Sequence, residues 1–412
     1  MTKHYDFILA GGGLAGLSLA CQLVNSPLRD RSILIIDPDT KERNDRTWSY
    51  WTSQTGPFDG AVSHAWDSLR FVGNGVETIV PLGEYRYKTI RGDDFYRFAR
   101  QLLAASPNVE FLHGRVDRID DGPETATVVV DGKTLTCDWV FDSLPAPAGD
   151  SRYTHLKLYF RGWEVETSVP AFDTQAATFL DFRTPTQGDV RFFYVLPFAP
   201  NRALVEYTLF TSARVTRTEA EQAIDAYLRS VLGVTDYRIV SQEGGCLPVT
   251  DQPMPRRLGK RILAVGIHGG RLKPSTGFAF TRVEVDSAAI VASLQTHGHP
   301  FDLPEESPLF RLLDSIMLRV MAEHPDQIEP TFAAMFGRNP VERIFRFLDE
   351  EARPAEVVEL IATLPRKVFI QTALRHYGTQ TLGLLRGTAP KAPTQTQGAS
   401  RQPAATQMPK GG

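Results

Sequence analysis

A glycine-rich turn between two apolar segments constrains the fold of this chain more than any other feature. Residues 5–9 are mostly apolar, a G-x-G-x-x-G pattern follows at residues 11–16, and residues 14–24 have the composition of an apolar helix. A second apolar segment, residues 32–36, ends at Asp37. Continuously apolar strands are typical of parallel sheets that are buried on both faces. This order predicts a βαβ unit of the Rossmann type.

The same turn has the chemistry of a dinucleotide site. Glycines allow the backbone amides at the start of a helix to approach a pyrophosphate. The predicted contacts are Gly11, Gly13, Leu14, Ala15 and Gly16. Asp37 can accept hydrogen bonds from a ribose diol. The alternative is a glycine turn in a nucleotide-free α/β sheet, but a strand, a helix and an acid at this spacing favour a nucleotide.

Residues 7–24 carry no charge and are about as long as a bilayer-spanning helix. Asp6 and four interrupting glycines favour a strand, turn and helix instead. The 412 residues include 45 basic and 48 acidic side chains, a net charge of −3, which gives no basic footprint for nucleic acid. Three dispersed cysteines match neither a metal site nor a disulfide framework, so we expect no metal and a reducing, cytoplasmic compartment.

A late return strand predicts an interrupted first domain. Residues 261–266 are apolar again, and a glycine-containing segment follows at residues 266–277. This arrangement favours FAD over a nicotinamide cofactor, with the helix expected from Thr276 directing its N-terminus at the flavin. The predicted contacts are Gly266, Gly269, Gly270, Pro274, Thr276 and Gly277, with Arg46 on the phosphate or adenosine side. A glycine loop that caps an ordinary helix is the alternative.

The predicted fold is α/β, with a Rossmann-like FAD domain, an intertwined β-sheet substrate domain and C-terminal helices. The predicted boundaries are 1–150 with 255–295 for the FAD domain, 151–254 for the substrate domain, 296–386 for the helices and 387–412 for a disordered tail. The tail is rich in Pro, Thr, Gln, Gly and Ala and has no acidic residue.

Two carboxylates in predicted strands are candidate catalytic groups. Glu206 shares a strand face with Leu204 and Thr208, and an acid on a mostly apolar strand is unusual. Asp181 lies among apolar residues, where either a site role or an ion pair with Arg183 or Arg191 would explain it. His268, in the return segment, is a candidate base or a structural histidine. Aromatic side chains that could line a tunnel or pack in the core are Trp48, Trp51, Phe193, Tyr194, Phe278 and Phe280.

Several motifs together resemble the FAD-containing lycopene β-cyclases of the bacterial type, which share their overall fold with flavin hydroxylases. They are GGGLAG, YVLPFAPNRALVEYT, GGRLKPSTGFAF, NPVERIFRFLDEE and LPRKVF, and the likeness covers nearly all of residues 5–380. The resemblance implies redox-neutral cyclisation of the acyclic ends of lycopene with reduced FAD, and Glu206 as the acid. Many members carry a second acid where this chain has Tyr207.

The resemblance also implies an apolar C40 substrate delivered from a membrane, so we expect a peripheral protein on the inner face of the cell membrane, with contacts to other carotenoid enzymes. NAD(P)H would serve as the reductant of FAD. The rival hypotheses are an FAD-dependent monooxygenase or desaturase and a non-catalytic prenyl-lipid carrier. Flavin hydroxylases usually carry Gly-Asp where this chain has Gly266-Ile267, and a carrier would tolerate a degraded glycine motif, so both features favour the cyclase.

Overall fold

The computed structural model describes residues 3–145 and 149–385, with side chains described as far as residue 378. The predicted disordered tail, residues 387–412, lies outside the described residues. The strands are β1 His4–Ala10, β2 Ile33–Asp37, β3 Thr47–Thr52, β4 His64–Trp66, β5 Ser68–Gly73, β6 Val76–Pro81, β7 Arg86–Arg91, β8 Val109–His113, β9 Val116–Asp120, β10 Ala126–Val130, β11 Lys133–Asp142, β12 His155–Glu166, β13 Ala177–Asp181, β14 Val190–Ala199, β15 Arg202–Thr211, β16 Arg238–Thr250 and β17 Ile262–Ala264. The helices are α1 Leu14–Val24, α2 Gly92–Ala104, α3 Arg217–Ser230, α4 Phe280–His297, α5 Pro308–Glu323, α6 Ile328–Arg338, α7 Val341–Leu348, α8 Pro354–Thr363 and α9 Arg366–Leu385.

The first sheet is the Rossmann-like sheet that the glycine turn predicts. Its order is β8-β2-β1-β11-β10-β9, and β17 pairs in parallel with the last residues of β11. β8, β2, β1 and β11 are mutually parallel. α1 and α4 pack on this sheet, where Leu17 and Ile290 share one core with Leu9 and Ile35. Residues 7–24 therefore form a strand, turn and helix, as predicted.

The second sheet has the order β16-β12-β15-β14-β13-β5-β6. Its neighbours are antiparallel except β13 and β5, which pair in parallel. This pairing corrects the predicted first domain, because β5 and β6 come from residues 68–81 and yet belong to the second sheet. The reason is long-range pairing, because β13, which comes from the predicted substrate domain, forms hydrogen bonds with β5 in the sheet. A third sheet, of order β3-β7-β4, accompanies these two in the described part of the chain.

The two faces of the second sheet have different partners because side chains alternate along a strand. On one face, the ring of Phe193 stacks on Tyr227 of α3 with centroids 3.9 Å apart. On the other face, Phe71 stacks on Phe336 of α6 with centroids 5.5 Å apart. The C-terminal helices thus cover the face opposite α3. No helix in the described ranges is both long enough and apolar enough to cross a bilayer.

The start of α4 differs from the prediction. The sequence places it at Thr276, whereas the helix begins at Phe280. Residues 274–276 form a separate turn, closed by the Gly277 amide donating to the Lys273 carbonyl at 2.8 Å. Gly277 then has a φ of +74°, which an α-helix cannot continue through. Phe278 and Ala279 therefore connect the turn to the helix without regular secondary structure.

Candidate active site

The glycine turn leaves room for a phosphate group at the start of α1. Gly13 is the N-cap of this helix and no side chain caps it. A Cβ atom placed on Gly13 would have no protein atom within 4 Å. The backbone N–H groups of Leu14, Ala15 and Gly16 follow in the first turn of α1, at the positive end of the helix dipole, where an α-helix leaves its N–H groups without intrahelical acceptors. This geometry fits a dinucleotide pyrophosphate.

The remaining predicted cofactor residues surround this turn or follow it along the chain. The Gly12 amide donates a 2.7 Å hydrogen bond to Asp37 Oδ2, so the ribose-binding candidate is fixed beside the turn. A Cβ atom on Gly266 would lie 2.8 Å from Cβ of Ala15, which places the return segment against the first turn of α1. Gly269 and Gly270 lie in the turns that follow, where their amides donate to Val265 and Ile267.

Further along the chain, the return segment reaches a cavity of about 130 Å³, which lies between the second sheet and the two paired strands β3 and β7. Thr276 and Gly277 line it, and a Cβ atom on Gly277 would collide with Leu158 Cδ2. Pro274 begins the turn that carries Thr276 there. Besides Gly277, the residues that line the cavity are Arg46, Thr47, Trp48, Ser49, Tyr87, Leu158, Phe160, Tyr194, Leu196, Leu204, Glu206, Thr208, Leu247, Thr276, Phe278, Ala279 and Phe280.

Glu206 lies in this cavity, on the strand face that the alternation of β15 predicts. Leu204 and Thr208 line the cavity beside it. The Thr208 hydroxyl donates to Glu206 Oε1 at 3.1 Å. Tyr207 points to the opposite face, where its hydroxyl accepts a 3.0 Å hydrogen bond from Arg191. A carboxylate at position 207 would therefore point away from the cavity.

A second carboxyl group, that of Glu243, meets Glu206 there and is not among the candidates predicted from the sequence. Gly162 of β12 is the register partner of both Glu206 on β15 and Glu243 on β16. A Cβ atom on Gly162 would lie 3.0 Å from Glu243 Cγ and 3.6 Å from Glu206 Cβ. The missing side chain lets the two carboxyl groups meet across the strand between them. A glycine inside a long strand next to an acid-bearing strand was the available signal.

The surroundings of the two carboxyl groups differ. Burial raises the pKa of Glu206 well above its usual range, and the nearby Glu243 carboxyl raises it further. Burial also raises the pKa of Glu243, which is 3% exposed, but hydrogen bonds to its carboxylate oppose that rise. They come from the Thr47 hydroxyl at 2.7 Å and the Asn44 amide at 3.0 Å. The surroundings therefore favour the proton of the pair on Glu206 and the negative charge on Glu243.

Asp181 is not part of this cavity, which corrects its assignment as a second catalytic candidate. It pairs in register with Phe193, on the face that packs against α3. The Tyr227 hydroxyl donates to Asp181 Oδ2 at 2.6 Å, and Arg183 forms an ion pair with it at 2.5 Å. Asp181 is fully buried and has a structural role. Its ion pair with Arg183 is one of the alternatives that the sequence left open.

Arg46 and His268 lie at positions that differ from those expected for their predicted roles. Arg46 lines the Glu206 cavity and pairs with Asp45 at 2.8 Å, which differs from its expected place at the cofactor phosphates or adenosine. His268 is buried next to the end of β11, with Nδ1 3.5 Å from Asp142 Oδ2. It does not line the Glu206 cavity in the part of the chain that the structure describes.

The aromatic candidates divide between the cavity and the core. Four of the six line the cavity: Trp48, Tyr194, Phe278 and Phe280. Trp51 instead stacks on Phe345 of α7 with centroids 4.6 Å apart. Phe193 packs on the α3 face, as described above.

A second, larger cavity of about 210 Å³ lies among the C-terminal helices. Its lining is almost entirely apolar and includes Phe310, Met317, Met335, Phe347, Leu364, Phe369 and Ile370. Thr276 lines both cavities, so the return segment lies between them. The two cavities together offer a protonated carboxyl group beside apolar and aromatic walls, which can protonate an apolar substrate and stabilise a cation.

Comparison with known proteins agrees with this geometry. A family profile described as "Lycopene cyclase protein" matches residues 6–374. Lycopene beta cyclase, chloroplastic, of Arabidopsis thaliana is 26% identical over 71% of this chain, which spans only 60% of that relative's length. Lycopene beta-cyclase of Paracoccus sp. (strain N81106 / MBIC 01143) is 24% identical, with 90% of this chain and 96% of the relative covered.

Among solved structures, the flavin-dependent brominase Bmp2 superposes with a TM-score of 0.60 at 13% identity. The superposition covers 92% of this chain and all of the brominase chain. At this identity the likeness shows the fold alone. The predicted fold class is confirmed: the chain has the fold of flavin-dependent enzymes.

Proposed function

We propose that this chain, which belongs to the lycopene cyclase family, closes the acyclic ends of lycopene to β-rings without net redox change. The observation that carries the proposal is the Glu206 carboxyl group, whose pKa is raised well above its usual range by burial, in a cavity with mainly apolar and aromatic walls beside the return segment. A carboxyl group in such a cavity can protonate an alkene because burial disfavours its charged form and keeps a transferable proton on it.

The proposed reaction consists of proton transfers and one ring closure. Glu206 gives its proton to the terminal double bond of lycopene, which forms a C–H bond and leaves a tertiary carbocation. An internal double bond attacks this cation and closes the six-membered ring. Loss of a ring proton to a base restores the double bond, so no electron is gained or lost. Trp48, Phe278 and Phe280 present aromatic rings to the cavity in which the cation forms.

FAD is the proposed cofactor, and the residues at its expected place fit it. The open space at Gly13, the fixed Asp37 carboxylate and the close approach of Gly266 to Ala15 support a dinucleotide beside α1. Reduced FAD, when bound, would supply negative charge near the cation without being consumed. NAD(P)H would serve only to reduce it beforehand.

Redox neutrality gives a direct test of this proposal. We expect enzyme whose FAD has been chemically reduced without oxygen to form β-rings with no NAD(P)H present. In deuterated water the new ring hydrogen should come from solvent, since Glu206 exchanges its proton with water. Mass spectrometry of the carotenoid product measures this label. Deuterium transferred in stoichiometric amount from a labelled reductant would contradict the proposal.

The same experiment separates the rival functions. A monooxygenase requires oxygen and adds an oxygen atom to its product, whereas a desaturase removes hydrogen and needs an electron acceptor. A prenyl-lipid carrier would return lycopene unchanged. β-Ring formation under anaerobic conditions with no electron acceptor is expected of the cyclase alone.

We further propose that the protein lies on the inner face of the cell membrane, from which it takes its C40 substrate. The exposed side of α9 combines apolar Ile370 and Leu374 with basic Arg366, Lys367 and Arg375. This composition suits an anionic bilayer surface. Arg366 and Ile370 also border the larger apolar cavity, which supports entry of the polyene beside α9.

Replacing two apolar residues of α9 by glutamate tests the membrane proposal. We expect Ile370→Glu combined with Leu374→Glu to reduce sedimentation with vesicles that contain phosphatidylglycerol by about tenfold, because the loss of two exposed apolar side chains that would enter the bilayer costs more than about 1.4 kcal/mol. Val285→Glu combined with Val169→Glu, at exposed apolar positions outside α9, is the matched control. Equal sedimentation of both variants would rule out α9 as the docking element.

A further inference from the structure

The buried contact between Glu206 and Glu243 has a feature that the acid role of Glu206 alone does not explain. Oε1 of Glu243 is buried and has no hydrogen-bond partner among the described residues, whereas Oε2 accepts from Thr47 and Asn44. A buried acceptor without a donor costs free energy of about 1–3 kcal/mol. A protonated Glu206 carboxyl is the group beside it that can donate.

We propose that Glu243 is a positioning residue that shares one proton with Glu206 across Gly162, so that the pair rather than Glu206 alone gives and takes back the proton of cyclisation. This inference rests on the proposed function and deepens it. Gly162 is required because a methyl group there would press on Glu243 Cγ and Leu204 Cδ1, each 3.0 Å away.

The proton balance of the reaction follows from this arrangement. Before the reaction the pair holds one proton and one negative charge, and the charge is held on Glu243 by Thr47 and Asn44. When the Glu206 O–H bond breaks and the new C–H bond forms, the pair becomes doubly negative beside the carbocation. Two like charges in a buried site repel, which favours recovery of one proton. The ring C–H bond then breaks, and its proton restores the O–H bond of the pair.

Other charged and titratable groups also face the pair and enter its titration. They are Arg46, held by Asp45, from the segment before β3, Tyr87 from β7 and Tyr194 from β14. Arg161 of β12 faces the other way and pairs with Glu221 of α3, although it also donates to the Glu243 backbone carbonyl. None of them supplies a donor to Glu243 Oε1 in the described ranges. The Glu243 carboxylate is therefore the charged group that acts most directly on Glu206.

The test compares Glu243→Gln, Gly162→Ala and the wild-type holoenzyme. We expect Glu243→Gln to keep its FAD and its KM for lycopene, while the alkaline limb of kcat moves to lower pH. A shift of one pH unit lowers kcat on that limb about tenfold. Gly162→Ala, which retains both carboxyl groups but separates them, should shift the limb in the same direction. Glu166→Gln, at a more exposed glutamate that pairs with Arg238 on the same sheet, is the control.

Infrared spectroscopy gives a readout that does not need cyclase activity. Asp349, Asp314 and Glu284 are other buried carboxyl groups with raised pKa values. The band of the pair is therefore read from the difference spectrum between wild type and Glu206→Gln, in which a carboxylic C=O band should be present. The same band should titrate at lower pH in Glu243→Gln and Gly162→Ala. Band titrations and pH profiles that match wild type in both variants would overturn the shared proton, even if Glu206→Gln abolishes cyclisation. If no β-rings form at all, the proposed function fails, and the infrared titration still decides whether the proton is shared.

Discussion

Glu206→Gln is expected to abolish β-ring formation while the purified protein keeps its FAD. Glutamine retains the shape of the side chain and can still accept from Thr208, but it has no proton to transfer. Loss of a general acid typically slows a reaction about 100- to 10,000-fold. We expect the upper end of this range because Glu206 is the only carboxyl group among the described residues that line the cavity.

The pH dependence of stability provides a second readout for the same variant. The pKa of Glu206 is raised on folding, so its contribution to stability is complete below the unfolded-state pKa and is lost as the pH rises through the folded-state value. Glutamine does not titrate. The melting temperature of Glu206→Gln relative to wild type should therefore increase from acidic to alkaline pH.

Asp181→Asn is the matched control because it makes the same carboxyl-to-amide change on the opposite face of the same sheet. The substitution should lower the free energy of unfolding because it weakens the contacts of this side chain with Arg183 and Tyr227. It should leave kcat of the folded protein near that of wild type. The activity of both variants is measured as the amount of each carotenoid product, separated by chromatography after an anaerobic assay. Near-parental β-carotene formation by FAD-loaded Glu206→Gln would contradict the acid assignment.

Gly13→Val is expected to prevent FAD binding without unfolding the protein. A side chain at this position meets no protein atom within 4 Å, and the φ of −85° is accessible to any residue. The valine would instead occupy the space in front of the first amides of α1, where the pyrophosphate is expected. We expect flavin occupancy to fall at least about tenfold, equivalent to about 1.4 kcal/mol of binding free energy.

The control for this variant is Gly337→Val, another position at which an added Cβ atom meets open space. Gly337 lies in α6, away from the glycine turn. Flavin absorbance after desalting measures occupancy, and the melting temperature of the flavin-free protein shows whether the fold is retained. Full flavin content in Gly13→Val would place the cofactor elsewhere.

Local patterns in the sequence predict much of the first sheet and one strand of the site. The glycine turn and its flanking apolar segments correspond to β1, α1 and β2, because a buried parallel strand and a tight turn each have a local signature. The alternation along β15 correctly places Leu204 and Thr208 on the face of Glu206. These features depend on residues that are close in sequence.

The tertiary structure alone decides which distant groups meet. Glu243 reaches Glu206 only through the shared register of both strands with Gly162, and a slip of one residue would turn either carboxyl group to the other face. Asp181 faces α3 rather than the cavity because β13 is irregular in its pairing between Thr178 and Asp181. Strand register is set by long-range packing rather than by local composition, so the sequence determined the candidate acid and the structure determined its partner.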